Sequence, residues 1–137
     1  MVRNVRVINY FDNILILVNG LTAGFILFQS AVVAPTIFSS MPEDQAGPFL
    51  RSLFPKLFKS VVGLMILNGF LATFLGEYLL AVGCLMCVAS MLFCLFLVPR
   101  INKARDERDD VTFNRLHTAT VIATLVVLLI NLSFSFL

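Results

Sequence analysis

The sequence has no tryptophan, a single histidine and few charged residues, which make up only 13% of its 137 positions. Soluble domains carry about 25% charged and about 45–50% apolar residues, whereas 59% of this chain is hydrophobic and its mean hydropathy is +0.96. A soluble core of this size could not bury so much apolar surface, so we expect a lipid bilayer to cover part of it. The net charge of +2 is too small to favour nucleic acid as a partner.

Catalytic and cofactor-binding motifs are also missing. The chain has no phosphate-binding glycine loop, nucleophile elbow, haem-attachment motif or paired carboxylates within an apolar stretch. Its three cysteines all lie in one apolar stretch, unlike the disulfide framework of a small secreted protein. We therefore expect a protein that is not an enzyme and carries no cofactor.

Long apolar stretches dominate what is present. Residues 118–137 contain no charged side chain, and about 20 apolar residues suffice for a helix to cross the bilayer core. Four membrane spans are predicted, at residues 13–38, 58–75, 79–98 and 116–137. The short connection at residues 76–78 requires a helical hairpin. The predicted fold is a single domain over residues 1–137, an all-α integral membrane protein that forms an antiparallel bundle of four transmembrane helices.

The loop between the first two spans contains an amphipathic segment at residues 49–59. It either lies in the headgroup plane as an interfacial helix, which the predicted fold includes, or forms the beginning of the second span. Pro55 is expected to mark the bend between the two, and Pro35 to kink or end the first span. Asp110 or Thr112 is expected to cap the fourth.

Lysine and arginine are distributed unevenly. Eight of the ten lie in the two long loops, and only Arg3 and Arg6 lie on the other side. Because cytoplasmic loops carry an excess of these residues, we expect a multi-pass cell-membrane protein with both long loops in the cytoplasm and both termini outside.

Polar residues follow one face of the first and of the last span, and we call these two stripes the polar seam. Its members are Asn19, Thr22, Gln29 and Ser30 in the first span and His117, Thr120, Thr124 and Asn131 in the last. The seam either forms a hydrophilic path or joins the helices by hydrogen bonds worth about 0.6 kcal/mol each. Apart from His117, these residues carry neutral side chains, whereas ion pathways usually contain charged groups, so hydrogen bonding is favoured.

A second stripe consists of soft sulfur atoms on the third span, at Cys84, Cys87, Met91 and Cys94. Thiolate and thioether ligands suit Cu(I) and other soft metals. The same residues are ordinary packing groups in helix contacts, and packing is the favoured interpretation. At the membrane surface, His117 with Arg100 and Arg115 either forms a proton switch or anion site or makes ordinary interfacial contacts.

Short strings spread over nearly the whole chain resemble those of the transmembrane protein 205 family, whose bacterial branch is a domain of unknown function. The strings are Ala34-Pro35 with Phe38, Ala46-Gly47 before Leu53-Phe54-Pro55, Pro99-Arg100-Ile101 with Arg105-Asp106, and Phe113-x-Arg115-Leu116-His117. The resemblance implies a four-helix integral membrane protein, here of a bacterial inner membrane. Animal relatives are associated with resistance to platinum drugs.

Two functions of different classes remain open. The favoured one is a non-enzymatic structural or accessory subunit of a homo-oligomeric or larger membrane complex. The alternative is a small transporter or channel for soft metal cations or small solutes, formed by an oligomer of the bundle because one four-helix bundle is narrow.

Overall fold

The computed structural model describes residues 2–136, with side chains for residues 13–42 and 44–136. Six helical elements follow one another: α1 (Val2–Phe28), a π-helical turn (Gln29–Val33), α2 (Ala34–Ser40), α3 (Glu43–Leu75), α4 (Tyr78–Asp106) and α5 (Asp110–Ser135). This part of the chain contains no strand, which confirms the all-helical class. Met1, Leu137 and the side chains of Arg3 and Arg6, used in the predicted domain limits and topology, lie outside the described residues.

Four helical stretches are long and apolar enough to cross a membrane: Asn13–Ser40, Asp44–Leu75, Tyr78–Asp106 and Asp110–Ser135. The predicted spans at residues 13–38, 58–75 and 79–98 fall inside the first three stretches, and the span at 116–137 overlaps the fourth. Their length and composition indicate a multi-pass membrane protein.

The separate interfacial helix expected in the first loop is wrong, because residues 49–59 belong to the unbroken helix α3. Pro48 and Pro55 both lie inside this helix. A proline removes one backbone hydrogen bond, but the apolar side of the segment packs on the rest of the protein, where Leu50 and Phe58 are buried. The amphipathic pattern therefore marks the beginning of the second long helix.

Pro35 does not end the first helix. The backbone widens into the π-helical turn, in which the Ala34 N–H donates to the Gln29 carbonyl five residues earlier. Proline cannot donate a hydrogen bond, and its ring crowds the carbonyl of the preceding turn. A wide turn just before Pro35 relieves this crowding, so the helix continues to Ser40.

The four long helices pack as a closed ring: α1 contacts α3 and α5, and α4 contacts the same two helices. Fully buried side chains fill the interior, among them Ile26, Val61, Met65, Met91 and Val127. A smaller cluster, Ile37 with Ala46 and Leu50, joins α2 to the beginning of α3.

Two glycines permit close helix contacts within this ring. A Cβ atom at Gly83 of α4 would lie 2.5 Å from the ring of Phe134 on α5. A Cβ atom at Gly69 of α3 would lie 3.0 Å from the Cβ of Cys84 on α4. Small residues at such positions let neighbouring helices approach closely.

The two turns that follow α3 and α4 share one backbone pattern. Gly76 adopts the left-handed conformation with φ 85°, and the next N–H, of Glu77, donates to the Ala72 carbonyl at 2.8 Å. Arg108 takes the same place after α4 with φ 57°, and the N–H of Asp109 donates to the Ala104 carbonyl at 2.9 Å. Glycine favours this conformation, while arginine is strained in it.

The residue that caps α5 is Asp109, so the expected cap at Asp110 or Thr112 is wrong. The Asp109 side chain accepts a hydrogen bond of 3.0 Å from the backbone N–H of Thr112. The side-chain and backbone hydrogen bonds from Thr112 hold the pKa of the Asp109 carboxyl below its usual value. Only residues 107–109 separate α4 from α5. The left-handed conformation of Arg108 reverses the chain between them, so Asp109 lies directly before the first turn of α5.

Candidate functional site

Four sulfur-containing side chains line the inner face of α4. Residues three or four positions apart share one face of a helix, and Cys84, Cys87, Met91 and Cys94 follow this spacing and are all buried. The three cysteines are free thiols. Among the described residues, no group of three or more His, Cys, Asp or Glu side chains is arranged to hold a metal ion. The soft-metal site at these four residues stays a prediction.

Two asparagines join α1 to α3 in the core. The Nδ2 of Asn68 donates to the Oδ1 of Asn19 at 3.2 Å, and the Nδ2 of Asn19 donates to the Leu15 carbonyl of its own helix at 3.0 Å. Both side chains are at most 1% exposed. A buried amide that loses its partner is unfavourable by about 1–3 kcal/mol, so this pair helps to fix which face of α3 meets α1.

A third asparagine connects α5 to α4. The Nδ2 of Asn131 donates to the Val127 carbonyl at 2.8 Å and lies 3.5 Å from the Sγ of Cys87. One helical turn away on α4, Cys84 lies against α3 at Gly69, the residue that follows Asn68. Contacts therefore run without a gap from α1 through α3 and α4 to α5. We call this set the amide–thiol cluster: Asn19, Asn68, Cys84, Cys87 and Asn131.

Some polar atoms of the interior lack a partner within the described protein. They are the Oδ1 atoms of Asn68 and Asn131 in the amide–thiol cluster, and the Nε2 of Gln29 in the π-helical turn. These three side chains are between 0% and 5% exposed. Two acceptors and one donor are thus the points at which the core can take further hydrogen bonds.

The polar seam is interior only in part. The buried members are Asn19, Thr22, Gln29, Thr120 and Asn131, whereas Thr124 is half-buried and Ser30 and His117 are exposed. The hydroxyl groups of Thr22, Thr120 and Thr124 each donate to a carbonyl of their own helix at 2.8 Å. The two stripes do not pair with each other, because Asn19 bonds α3 and Asn131 contacts α4.

The sequence analysis left Asn68 out of the polar seam, although its side chain joins α3 to α1 through Asn19. The signal was present, since Asn68 is the only amide side chain in the predicted span at residues 58–75. One isolated amide does not form a polar face with other residues of its helix, so helical periodicity does not identify it.

At the opposite end of the bundle, aromatic rings and cations are stacked. His117 lies parallel to Phe113, with ring centroids 5.6 Å apart and planes 4° apart. The guanidinium of Arg105 lies 5.1 Å from the centroid of the same Phe113 ring, and that of Arg100 lies 4.7 Å from the Phe96 ring. Arg100 and Arg115 are exposed. A proton switch or anion site at His117, Arg100 and Arg115 stays a prediction.

Charged side chains also connect helices at this end. The Arg51 guanidinium of α3 lies 2.6 Å from the Asp106 carboxylate at the end of α4, and these side chains are 35% and 61% exposed. Lys103 and Glu107, one turn apart, are 3.8 Å apart. Within the described residues no Asp, Glu, Lys or Arg is buried, so the polar groups of the interior are amides, hydroxyls and thiols.

The outer surface between α3 and α4 carries an apolar groove of about 460 Å³. Gly69 and Cys84, which are in close contact across the two helices, line the groove. Larger side chains form the walls, among them Met65, Phe70, Tyr78 and Leu85. The groove is open to the outside of the bundle and does not reach the amide oxygens of the core, which are inaccessible.

Residues 17–110 match the protein family described as Domain of unknown function (DUF4149). No curated protein and no solved structure matches the chain. The match confirms the unknown-function domain named in the sequence resemblance, while the assignment to the transmembrane protein 205 family stays a prediction.

Proposed function

This chain belongs to the family described as Domain of unknown function (DUF4149), and we propose that it is a non-enzymatic structural or accessory subunit of a membrane complex. The complex is either a homo-oligomer or a larger assembly with other proteins. The four long helices cross the membrane in antiparallel order, in a bacterial inner membrane, with the two long loops in the cytoplasm and both termini outside.

The proposal rests chiefly on the contrast between a closed, uncharged interior and a broad apolar exterior. Inside, the threonine hydroxyls bond their own helices, and the described side chains include no buried charge. Outside, large apolar side chains such as Leu17, Phe70, Phe74 and Phe96 are between 62% and 83% exposed. A surface of this kind packs against lipid or other helices, so contact between subunits is the role that the geometry favours.

Native mass spectrometry of a mild detergent extract tests the proposal. We expect the 15.2 kDa chain to be recovered with foreign subunits or as a defined homo-oligomer. Phe70→Ala, in a wall of the α3–α4 groove, should weaken this association, whereas the control Leu129→Ala on the exposed side of α5 should not. Recovery as a monomer alone would reject the subunit role.

Labelling of introduced cysteines tests the topology separately. The native thiols are buried, so they should react slowly with a membrane-impermeant maleimide. In intact cells, Glu77→Cys should be labelled and Arg108→Cys should react only after the membrane is opened. The reverse pattern would invert the proposed orientation.

An oligomeric transporter for soft cations or small solutes is the second candidate, and the amide–thiol cluster favours it. Two thiols and two unpartnered amide oxygens lie together at Cys84, Cys87, Asn68 and Asn131. If this candidate is correct, proteoliposomes should show flux of Cu(I) or a small solute that Asn131→Leu reduces. Flux equal to that of empty vesicles would reject it.

A further inference from the structure

Four basic residues lie about 7.5 Å or more closer to the apolar part of the bundle than the nearest acidic residue of their helix or of the adjoining ion pair. They are Lys56 and Lys59 on α3, Arg100 on α4 and Arg115 on α5, and all four are exposed. We call them the basic belt. No salt bridge joins a member of the belt to a described carboxylate, since the ion pairs at this end involve Arg51 and Lys103.

The depth of the belt follows from the ion pair between Arg51 and Asp106, which places those two residues at one level. With a rise of 1.5 Å per residue, α3 carries Lys56 about 7.5 Å and Lys59 about 12 Å beyond that level. Helix α4 places Arg100 about 9 Å from Asp106 in the same direction.

Helix α5 completes the belt, because Arg115 lies about 7.5 Å along the helix from its first residue, Asp110. The acidic residues at this end are at positions 43, 44, 106, 107, 109 and 110. No acidic residue occurs at positions 45–76, 78–105 or 111–135. The layer that contains the belt therefore holds four positive charges and no carboxylate.

When the four helices span a bilayer as proposed, that layer lies at the depth of the lipid headgroups. The headgroup region adds about 5–8 Å on each side of the hydrocarbon core, and the belt lies between the charged turns and the apolar helices. Lysines there can extend their amino groups toward phosphate. Arg100 lies over the exposed ring of Phe96. A phospholipid fits this pair, because its phosphate can contact the guanidinium and its acyl chains can contact the ring.

We propose that the basic belt binds the headgroup phosphate of an anionic phospholipid, such as phosphatidylglycerol, in the leaflet that faces this end of the bundle. The inference rests on the proposed function only in requiring that the four helices span a bilayer. It adds a ligand class and a site, on α3, α4 and α5, that the subunit role does not need.

The test measures retention of phosphatidylglycerol against phosphatidylcholine on the full chain, by native mass spectrometry after reconstitution in mixed bilayers. Each basic residue near an anionic surface contributes about fivefold to binding. The variant Lys56→Ala/Lys59→Ala should therefore reduce retention of phosphatidylglycerol by roughly 25-fold. Lys56→Arg/Lys59→Arg, which keeps the charge, should retain it.

The matched control is Lys103→Ala/Arg108→Ala, which removes the same charge among the acidic residues, where Lys103 already pairs with Glu107, and it should change retention no more than about twofold. Raising the salt concentration should weaken binding to the wild type, since the belt is exposed. At constant ionic strength, replacing chloride with inorganic phosphate should not displace the lipid; complete displacement would indicate a soluble-anion site and overturn the inference.

Two further results would also overturn it. The first is equal retention of the two lipids, and the second is an equal loss in the belt variant and the control variant. If either appears in protein that still spans the bilayer by cysteine labelling, the belt is rejected and the membrane subunit role stands. If the labelling shows no spans, the proposed function fails and the inference fails with it.

Discussion

The two ends of the helix bundle are held together by different kinds of interaction. Toward the turn at Gly76, the contacts are neutral and buried: the asparagine pair of α1 and α3, the thiols of α4, and the Phe134 ring against Gly83. Toward the turn at Arg108, the contacts are charged and exposed, as in the pair Arg51–Asp106.

The buried contacts and the exposed charges have different effects on the fold. Buried amides and close helix contacts define which faces of the helices meet, because an amide in an apolar interior is unfavourable in any arrangement that leaves it unpaired. Exposed charges stabilise the bundle little, since water screens them, but they mark one end of the molecule as the basic one. The interior should therefore be sensitive to substitution and the charged end tolerant.

The strongest test of that contrast compares two glycines. Gly83→Ala should reduce the free energy of unfolding by about 1–3 kcal/mol, because the added Cβ would lie 2.5 Å from the Phe134 ring. Gly63→Ala is the control, since no atom lies within 4 Å of its Cβ position, and it should be neutral or stabilise by up to about 1 kcal/mol. Reversible unfolding in detergent measures both, and equal effects would contradict the close contact of α4 with α5.

A double-mutant cycle on the asparagine pair comes next in size. Asn68→Ala leaves the Oδ1 of Asn19 without its donor, so we expect a loss of about 0.6–1.7 kcal/mol. Asn19→Ala combined with Asn68→Ala should be less destabilising than the sum of the two single changes. Strict additivity would show that the pair contributes nothing to the contact of α1 with α3.

Exchanging the left-handed residues of the two turns should change stability in opposite directions. Arg108→Gly should stabilise the protein by about 1 kcal/mol, because glycine adopts the left-handed conformation without the strain of a side chain. Gly76→Arg should destabilise it by a similar amount. The thermal midpoints of the two variants should shift in opposite directions, and shifts of the same sign would rule out backbone conformation as the cause.

The smallest effect is expected for the exposed ion pair. Arg51→Ala should reduce the free energy of unfolding by about 0.2–1 kcal/mol, and the loss should shrink as salt is added. Asp106→Ala should behave in the same way. A loss larger than that of Asn68→Ala would reverse the contrast between the two ends of the bundle.

Much of the helical layout was predictable from the sequence, because uninterrupted apolar runs and short polar connections define long helices directly. Residues 49–59 were harder, since their period fits an interfacial helix and the beginning of a span equally well. Packing decided between them: the buried side of the segment continues into the rest of α3, so two prolines do not interrupt it.

The candidate site was less predictable than the helices. Periodicity identified the buried Asn19, Thr22 and Asn131 but also included Ser30, which is exposed. It could not identify partners, since these depend on the order of the helices around the ring and on their relative depth. The pairing of Asn19 with Asn68 therefore required the structure, as did the cap at Asp109, which depends on the left-handed residue before it.

The amide–thiol cluster has a consequence for biosynthesis. Its members come from all four long helices, and Asn131 is on α5, which follows the other three along the chain. A nascent chain that has completed only α1 to α4 would present Cys87 and its neighbours to whatever surrounds the helices. Until α5 docks, Cys87 lacks its contact with Asn131. Docking of α5 is therefore the step that completes the polar contacts of the core.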